Sequence, residues 1–221
     1  MHPRLNLNLS LSLCLSLCLL LLSCSDESSK QAGRNDSSGI RDSAPAARLE
    51  RPALNPYAGV DVSPLDMVYY PVDYPKLKMT GAVSSAPLAR VIYSRPHLQG
   101  RHIFHEVLKY EEPWRLGANE ATELELYRDA MAGDKKVKAG RYSLYCIPHP
   151  ENWTIAINAN TDIWGLKPDT LKDVARFTVP VTKTQQSLEY FTMVFEEKEN
   201  QVFLLMAWDD VEVRLPFSFG K

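Results

Sequence analysis

Cysteine is scarce in this sequence of 221 residues: there are four, and three of them fall within the first 24 positions. From residue 25 onward only Cys146 remains, so no internal disulfide can staple the rest of the chain. Cys146 lies in Tyr142-Ser-Leu-Tyr-Cys-Ile147 and shares the alternating face of Leu144. That placement predicts a buried, unreactive thiol, since nothing nearby supplies the electropositive surroundings a nucleophilic cysteine needs. Gly-x-Ser-x-Gly, P-loop, dinucleotide-fingerprint and zincin motifs are all missing, which leaves serine hydrolysis and phosphoryl transfer without support and implies no cofactor. Basic charge is short as well. Setting aside residues 1–23 removes Arg4 alone and leaves 24 basic against 27 acidic residues, a net charge of −3. Lysines and arginines accumulate on no face of the chain, so nucleic acid is excluded as a partner.

The N-terminus has a layout of its own. Met1 to Arg4 is a short basic start, Leu5 to Leu22 is dominated by leucine, and Leu21-Leu22-Ser23-Cys24 closes the segment with a small residue before a cysteine. This three-part order is that of a bacterial secretory signal. The closing tetrad resembles the lipobox of bacterial lipoproteins, which implies acylation of Cys24 and removal of residues 1–23. A spanning helix is the competing reading, because the apolar stretch is about as long as a short membrane span. Asn6, Asn8, Ser10, Ser12 and Ser16 dilute it, and no basic stop follows. Acyl chains gain about 0.8 kcal/mol per buried methylene, so two or three on Cys24 would hold a water-soluble domain to the membrane. Ser25-Asp26-Glu27 resembles the acidic tag that sends some outer-membrane lipoproteins to the cell surface, although a plain solvated linker accounts for it as well.

Residues 24–54 are rich in Ser, Ala, Asp, Arg, Gly and Pro, with almost no large apolar side chains. Such a stretch cannot bury enough surface to offset its conformational entropy, which predicts a flexible tether. Residues 55–221 are long enough for one domain with one core. Their hydrophobic period is two. Strands are predicted at 89–94, 122–127, 142–147, 153–157, 177–181, 191–195, 202–208 and 211–217. Ala132-Gly133-Asp134, Ala139-Gly140, Glu199-Asn200 and Asp209-Asp210 supply turn chemistry between them. The pattern predicts an all-β, antiparallel sandwich or jelly roll, with helix expected only over Leu166 to Ala175. In Val211-Glu-Val-Arg-Leu-Pro-Phe217 the odd positions face the core, and Pro216 places the segment at an edge or near a strand end. Val202 to Trp208, apolar on both sides, is expected mid-sheet.

Ser63-Pro64-Leu65-Asp66, Tyr93-Ser94-Arg95-Pro96, Gly100-Arg101, Ile103-Phe104, Trp114-Arg115-Leu116-Gly117-Ala118-Asn119-Glu120-Ala121-Thr122, Ala139 to Leu144 and Trp153-Thr-Ile fall in a distinctive order. Together they resemble the family catalogued as domain of unknown function 2911. The resemblance implies a secreted or lipid-anchored β protein of Gram-negative bacteria and carries no activity. After Ile103-Phe104, where the family pattern implies a glycine-containing loop, this chain has His105-Glu106-Val107-Leu108.

Candidate sites cluster around that pattern. Arg95, Arg101, Arg115, Asn119 and Glu120, with Trp114 beside them, suit a carboxylate, a phosphate or sugar hydroxyls. Internal bracing explains the same residues: Arg115 paired with Glu120 across a turn and Asn119 holding a left-handed position. His97, His102 and His105 with Glu106 are weak metal candidates, and exposed loop histidines are the simpler reading. Glu123 and Glu125 point to one side of a strand about 7 Å apart, near a glycosidase acid–base separation, yet a solvated outer face explains them too. Tyr69, Tyr70, Tyr74, Tyr110, Trp114, Trp153 and Trp164 would suit stacking on sugars if exposed, or core packing if buried. Three functions remain open: a binding module for a glycan or small anion, a glycan hydrolase using Glu120, Glu123 or Glu125, and a structural envelope protein.

Overall fold

The computed structural model describes residues 61–220. The signal, Cys24 and the tether expected over residues 24–54 lie outside the described residues. Ten strands and one short helix follow in chain order: β1 (Leu65–Tyr70), α1 (Tyr74–Met79), β2 (Ala89–Ser94), β3 (Thr122–Leu126), β4 (Ala130–Ala132), β5 (Lys135–Val137), β6 (Gly140–Pro148), β7 (Asn152–Asn158), β8 (Asp173–Pro180), β9 (Thr182–Lys198) and β10 (Gln201–Phe219). They form two antiparallel sheets, one ordered β1-β2-β3-β6-β7-β8 and the other β5-β4-β10-β9. This is the all-β sandwich expected from the period-two pattern. The edges of the sheets meet at two seams, β1 against β9 and β8 against β10 and β5.

Alternation decides which side chains enter the space between the sheets. In β3, Leu124 and Leu126 are buried while Glu123 and Glu125 face outward. In β10, Val211, Val213, Leu215 and Phe217 are buried, as their odd positions require. At one end of the core four aromatic rings meet. Trp114 stacks on Trp208 at 5.6 Å between centroids and meets Phe191 at 4.8 Å and Trp153 at 5.9 Å. Cys146 is buried, and burial pushes its thiol pKa well above the ordinary value.

Several expectations need correction. The segments 202–208 and 211–217 are one strand, β10, rather than two joined by a turn at Asp209-Asp210. Asp209 takes a left-handed φ of 52° and the register with β9 shifts on both sides of it, so the acidic pair makes a bulge. The strand expected at 191–195 is the inner part of the much longer β9, whose first half is exposed and is held by pairing with β10. Helix over Leu166 to Ala175 shrinks to a single turn at Thr170–Lys172, started by the Asp169 side chain accepting the Leu171 N–H. Leu171 is 94% exposed and finds no core, and short helices depend on such packing. The helix α1 and strands β1, β4 and β5 form outside the segments whose sequence pattern predicts them. Glycine-like conformation after Ile103-Phe104 is supplied without glycine: His105 itself adopts φ 79°.

Candidate functional site

The loop from Trp114 to Glu120 is fixed at both ends. Trp114 and Cys146 exchange two backbone hydrogen bonds of 2.8 Å, which ties the loop to β6. The Trp114 indole donates to Gly117 O at 3.0 Å, and the Thr122 hydroxyl donates to Leu116 O at 2.6 Å. Gly117 is required by close approach, since a Cβ there would lie 3.0 Å from Ser94 O. A second loop, running through Asp162 to Leu166, packs onto the first. Ala121 N–H donates to Ile163 O at 3.1 Å, and a Cβ on Gly165 would come within 2.8 Å of the Ala121 Cβ and 3.1 Å of the Arg115 Cβ.

The two loops bound two cavities. One, of about 310 Å³, is lined by Glu120, Ala121, Glu123, Ser143, Asp162, Ile163 and Trp164. Arg141 bridges its carboxylates, donating to Glu123 at 2.7 and 2.9 Å and to Asp162 at 2.8 Å. That bridge raises the Arg141 pKa, with Glu123 the larger cause, and lowers that of Asp162. Arg141 thus ties the two acids together across the cleft. Trp164 is 53% exposed at this cleft, and Glu120 is exposed with no hydrogen bond among the described residues. The other cavity, of about 210 Å³, is bounded by Val107 to Lys109, Glu112 to Arg115, Gly165 and Leu166.

The expected site residues divide between structure and surface. Arg95 is bracing: Nε donates to Phe191 O at 3.0 Å, and its terminal nitrogens donate to Asp66 at 3.2 Å and Thr192 at 2.9 Å. Arg101 donates to Leu98 O and His97 O, closing its own turn. Trp114 belongs to the core. Asn119 holds a left-handed φ of 59° and donates to Asp61 at 2.5 Å. The bracing pair of Arg115 with Glu120 does not form among the described residues, where Glu120 acts on Arg115 through its charge without an ion-pair contact. The Arg115 guanidinium has no hydrogen bond among the described residues, and its Nε is buried without an acceptor. Burial pulls its pKa down, opposed by the charge of Glu120. Arg95 lies over the Tyr190 ring at 5.9 Å, and among the described residues neither Arg95 nor Arg101 shares a hydrogen bond with Arg115.

The three histidines also separate. His97 stacks on Tyr190 at 5.3 Å, His102 Nδ1 lies 3.5 Å from the Asp209 carboxylate, and His105 meets Tyr110 edge-on. Glu106 accepts the His102 N–H at 2.6 Å. Among the described residues no three His, Cys, Asp or Glu side chains converge on one point. Glu125 is held by Arg90 and by the Tyr127 hydroxyl at 2.9 Å, and Glu123 by Arg141. These outward glutamates are thus ion-paired across strands.

A family described as "Protein of unknown function (DUF2911)" matches residues 75–217. The chain belongs to that family. The DUF2911 match takes in every strand from β2 to β9, most of β10 and both loops around the two cavities, while β1 lies ahead of it. No curated protein and no solved structure matches the chain. Sequence reasoning missed Arg141, Ser143 and Asp162 around this cleft. They reach Glu120 and Glu123 through strand pairing and loop packing, and no spacing along the chain announces that.

Two larger cavities lie elsewhere. One of about 650 Å³ sits at the seam of β1, α1 and β9 and is mostly apolar, its Asp73 and Lys76 paired with each other at 3.1 Å. One of about 590 Å³ sits at the seam of β5, β8 and β10, where Arg176 and Arg214 are both engaged by acidic partners. Neither presents an unengaged polar group of the kind found beside Trp164.

Proposed function

We propose that this protein is a lipid-anchored module of the bacterial cell envelope, held at the outer membrane through Cys24, that binds glycan at the cleft beside Trp164. The carrying observation is the half-exposed Trp164 ring at a cleft that also holds Glu120, Glu123, Asp162 and Ser143. An indole face stacks on the C–H face of a pyranose, and ionised carboxylates accept hydroxyl protons in pairs. A volume of about 310 Å³ is at the small end of ligand sites, which suits one or two sugar units with the rest of a chain in solvent. Arg141 fixes the carboxylates before the ligand arrives, so little side-chain entropy is lost on binding. The anchor rests on the lipobox-like tetrad ending at Cys24. Among the described residues no helix is long and apolar enough to cross a membrane.

Binding is favoured over hydrolysis by the state of the paired glutamates. Glu123 and Glu125 are both engaged by arginines, which holds their side chains in cross-strand ion pairs instead of leaving them free to meet a substrate. The test is titration of the protein with soluble envelope oligosaccharides, followed by tryptophan fluorescence and calorimetry. Saturable binding is expected, weakened about tenfold or more in Trp164→Ala and less in Glu120→Gln. A panel of glycans that fails to bind the wild type, or Trp164→Ala binding as the wild type does, overturns the reading.

A further inference from the structure

The cleft beside Trp164 has a polar floor. Ser143 of β6 stands in one cross-strand row with Glu123 of β3 and Asn158 of β7, on the outward side of the sheet. It is only 4% exposed, and its hydroxyl makes no hydrogen bond among the described residues. Three buried side-chain atoms, Arg90 Nε, Arg115 Nε and Trp153 Nε1, lack both a partner and accessible surface. The Ser143 hydroxyl is not one of them, so it keeps surface open to the cleft it lines. A nearly buried hydroxyl without a partner favours a ligand that completes its hydrogen bonds.

The charges around the cleft do not cancel. Glu120, Glu123 and Asp162 line it. Arg141 pairs with Glu123 and Asp162, and Arg115 and Glu120 act on each other through their charges. Three carboxylates against two guanidinium groups leave one negative charge over. One residue further out, Asp61 accepts from Asn119 and Lys172 donates to Asn160, and those two charges offset each other.

Resting on the glycan reading above, we propose that the unit favoured in this cleft is an amino sugar with a free ammonium group, held between Glu120 and the Trp164 ring and hydrogen-bonded to Ser143. Glu120 is the carboxylate of the three with no hydrogen bond among the described residues, so it is free to accept from the ammonium. An indole face attracts a cation as well as the C–H face of a pyranose, and the half-exposed Trp164 serves both parts of such a sugar. A uronic acid would add to the negative charge already in excess, and a neutral acetamido sugar would leave that charge unanswered.

The experiment measures calorimetric binding to the full chain, held in detergent micelles, of three soluble trimers: glucosamine, its fully N-acetylated form, and galacturonate, in slightly acidic buffer that keeps the amines protonated. The glucosamine trimer is expected to bind about fivefold more tightly than its acetylated form, and galacturonate more weakly than either. Added salt should narrow the gap. Glu120→Gln, at an exposed position, should bring the two glucosamine forms to within about twofold of each other. Ser143→Ala should weaken both by about threefold or more and leave their ratio unchanged. Equal wild-type affinity for the charged and acetylated trimers, a preference that survives in Glu120→Gln, or wild-type affinity in Ser143→Ala overturns the proposal while the glycan reading stands. Binding of none of the three overturns it too, and the wider oligosaccharide panel then decides the glycan reading separately.

Discussion

Tyr93 joins the two sheets with a single hydroxyl. From β2 it accepts the Met193 N–H of β9 at 2.9 Å and lies 3.2 Å from Met193 O, to which it donates. With Arg95 on Phe191 O, it covers backbone groups that an edge strand would otherwise offer to another chain. Tyr93→Phe is expected to cost about 1–3 kcal/mol, read from urea unfolding, because a buried N–H is left unpaired. Burial pushes the Tyr93 phenol up to about 12, assisted by Asp66 and opposed by the Met193 amide and Arg95. Tyr70 and Tyr145 are also pushed up to about 12, first by burial and then by Glu197 and Asp173 respectively. Their folded pKa values exceed the ordinary 10, so this contribution is intact below pH 10. Between pH 10 and 12 the unfolded chain ionises while the folded one does not, and stability falls. The urea midpoint should decline across that window, with a shallower decline in Tyr93→Phe.

Among the elements, β10 carries the feature that sequence reading inverted. Asp209-Asp210 has the composition of a turn, and turn chemistry and bulge chemistry share the same left-handed preference. What separates them is the fate of the carboxylate. Here it is buried, accepting from the Ser187 hydroxyl at 2.8 Å and from Ile103 N–H at 3.2 Å, with His102 nearby. Burial pushes its pKa up, but those three partners together pull it below the usual value. Asp209→Ala should destabilise the fold by about 2–4 kcal/mol in chemical denaturation, through an orphaned amide and a strained backbone. The wild-type contribution is present above the ordinary carboxylate pKa and is lost as pH drops through the folded one. Strands were legible wherever alternation coincides with burial, as in β2 and the second half of β10. The first half of β9 was hidden because ladder pairing alone orders it. The left-handed backbone of Asn119 follows from that residue's own preference. The isolation of Arg115 and the union of Trp164 with Glu120 depend on how two loops distant in sequence pack, and no local pattern encodes that.

At the scale of the whole molecule, the anchor proposed at Cys24 and the sandwich make separate demands. Cys24→Ala is expected to move the protein from the membrane fraction to the soluble one while leaving the melting temperature of the sandwich unchanged. Retention of the variant with membranes would count against a lipid attachment. The sandwich itself is organised around the hairpin of β9 and β10, 17 and 19 residues long and joined at Glu199 and Asn200, both left-handed. A strand of that length reaches about 60 Å when extended. Of the sandwich, these two strands leave the ribosome last, yet their pairing is between sequence neighbours and needs only microseconds. The earlier strands must therefore wait with one face of their sheet bare until the ribbon arrives to cover it. Under the export proposed together with the anchor at Cys24, that interval is when a periplasmic holdase would find its binding surface, and it ends when the hairpin snaps shut.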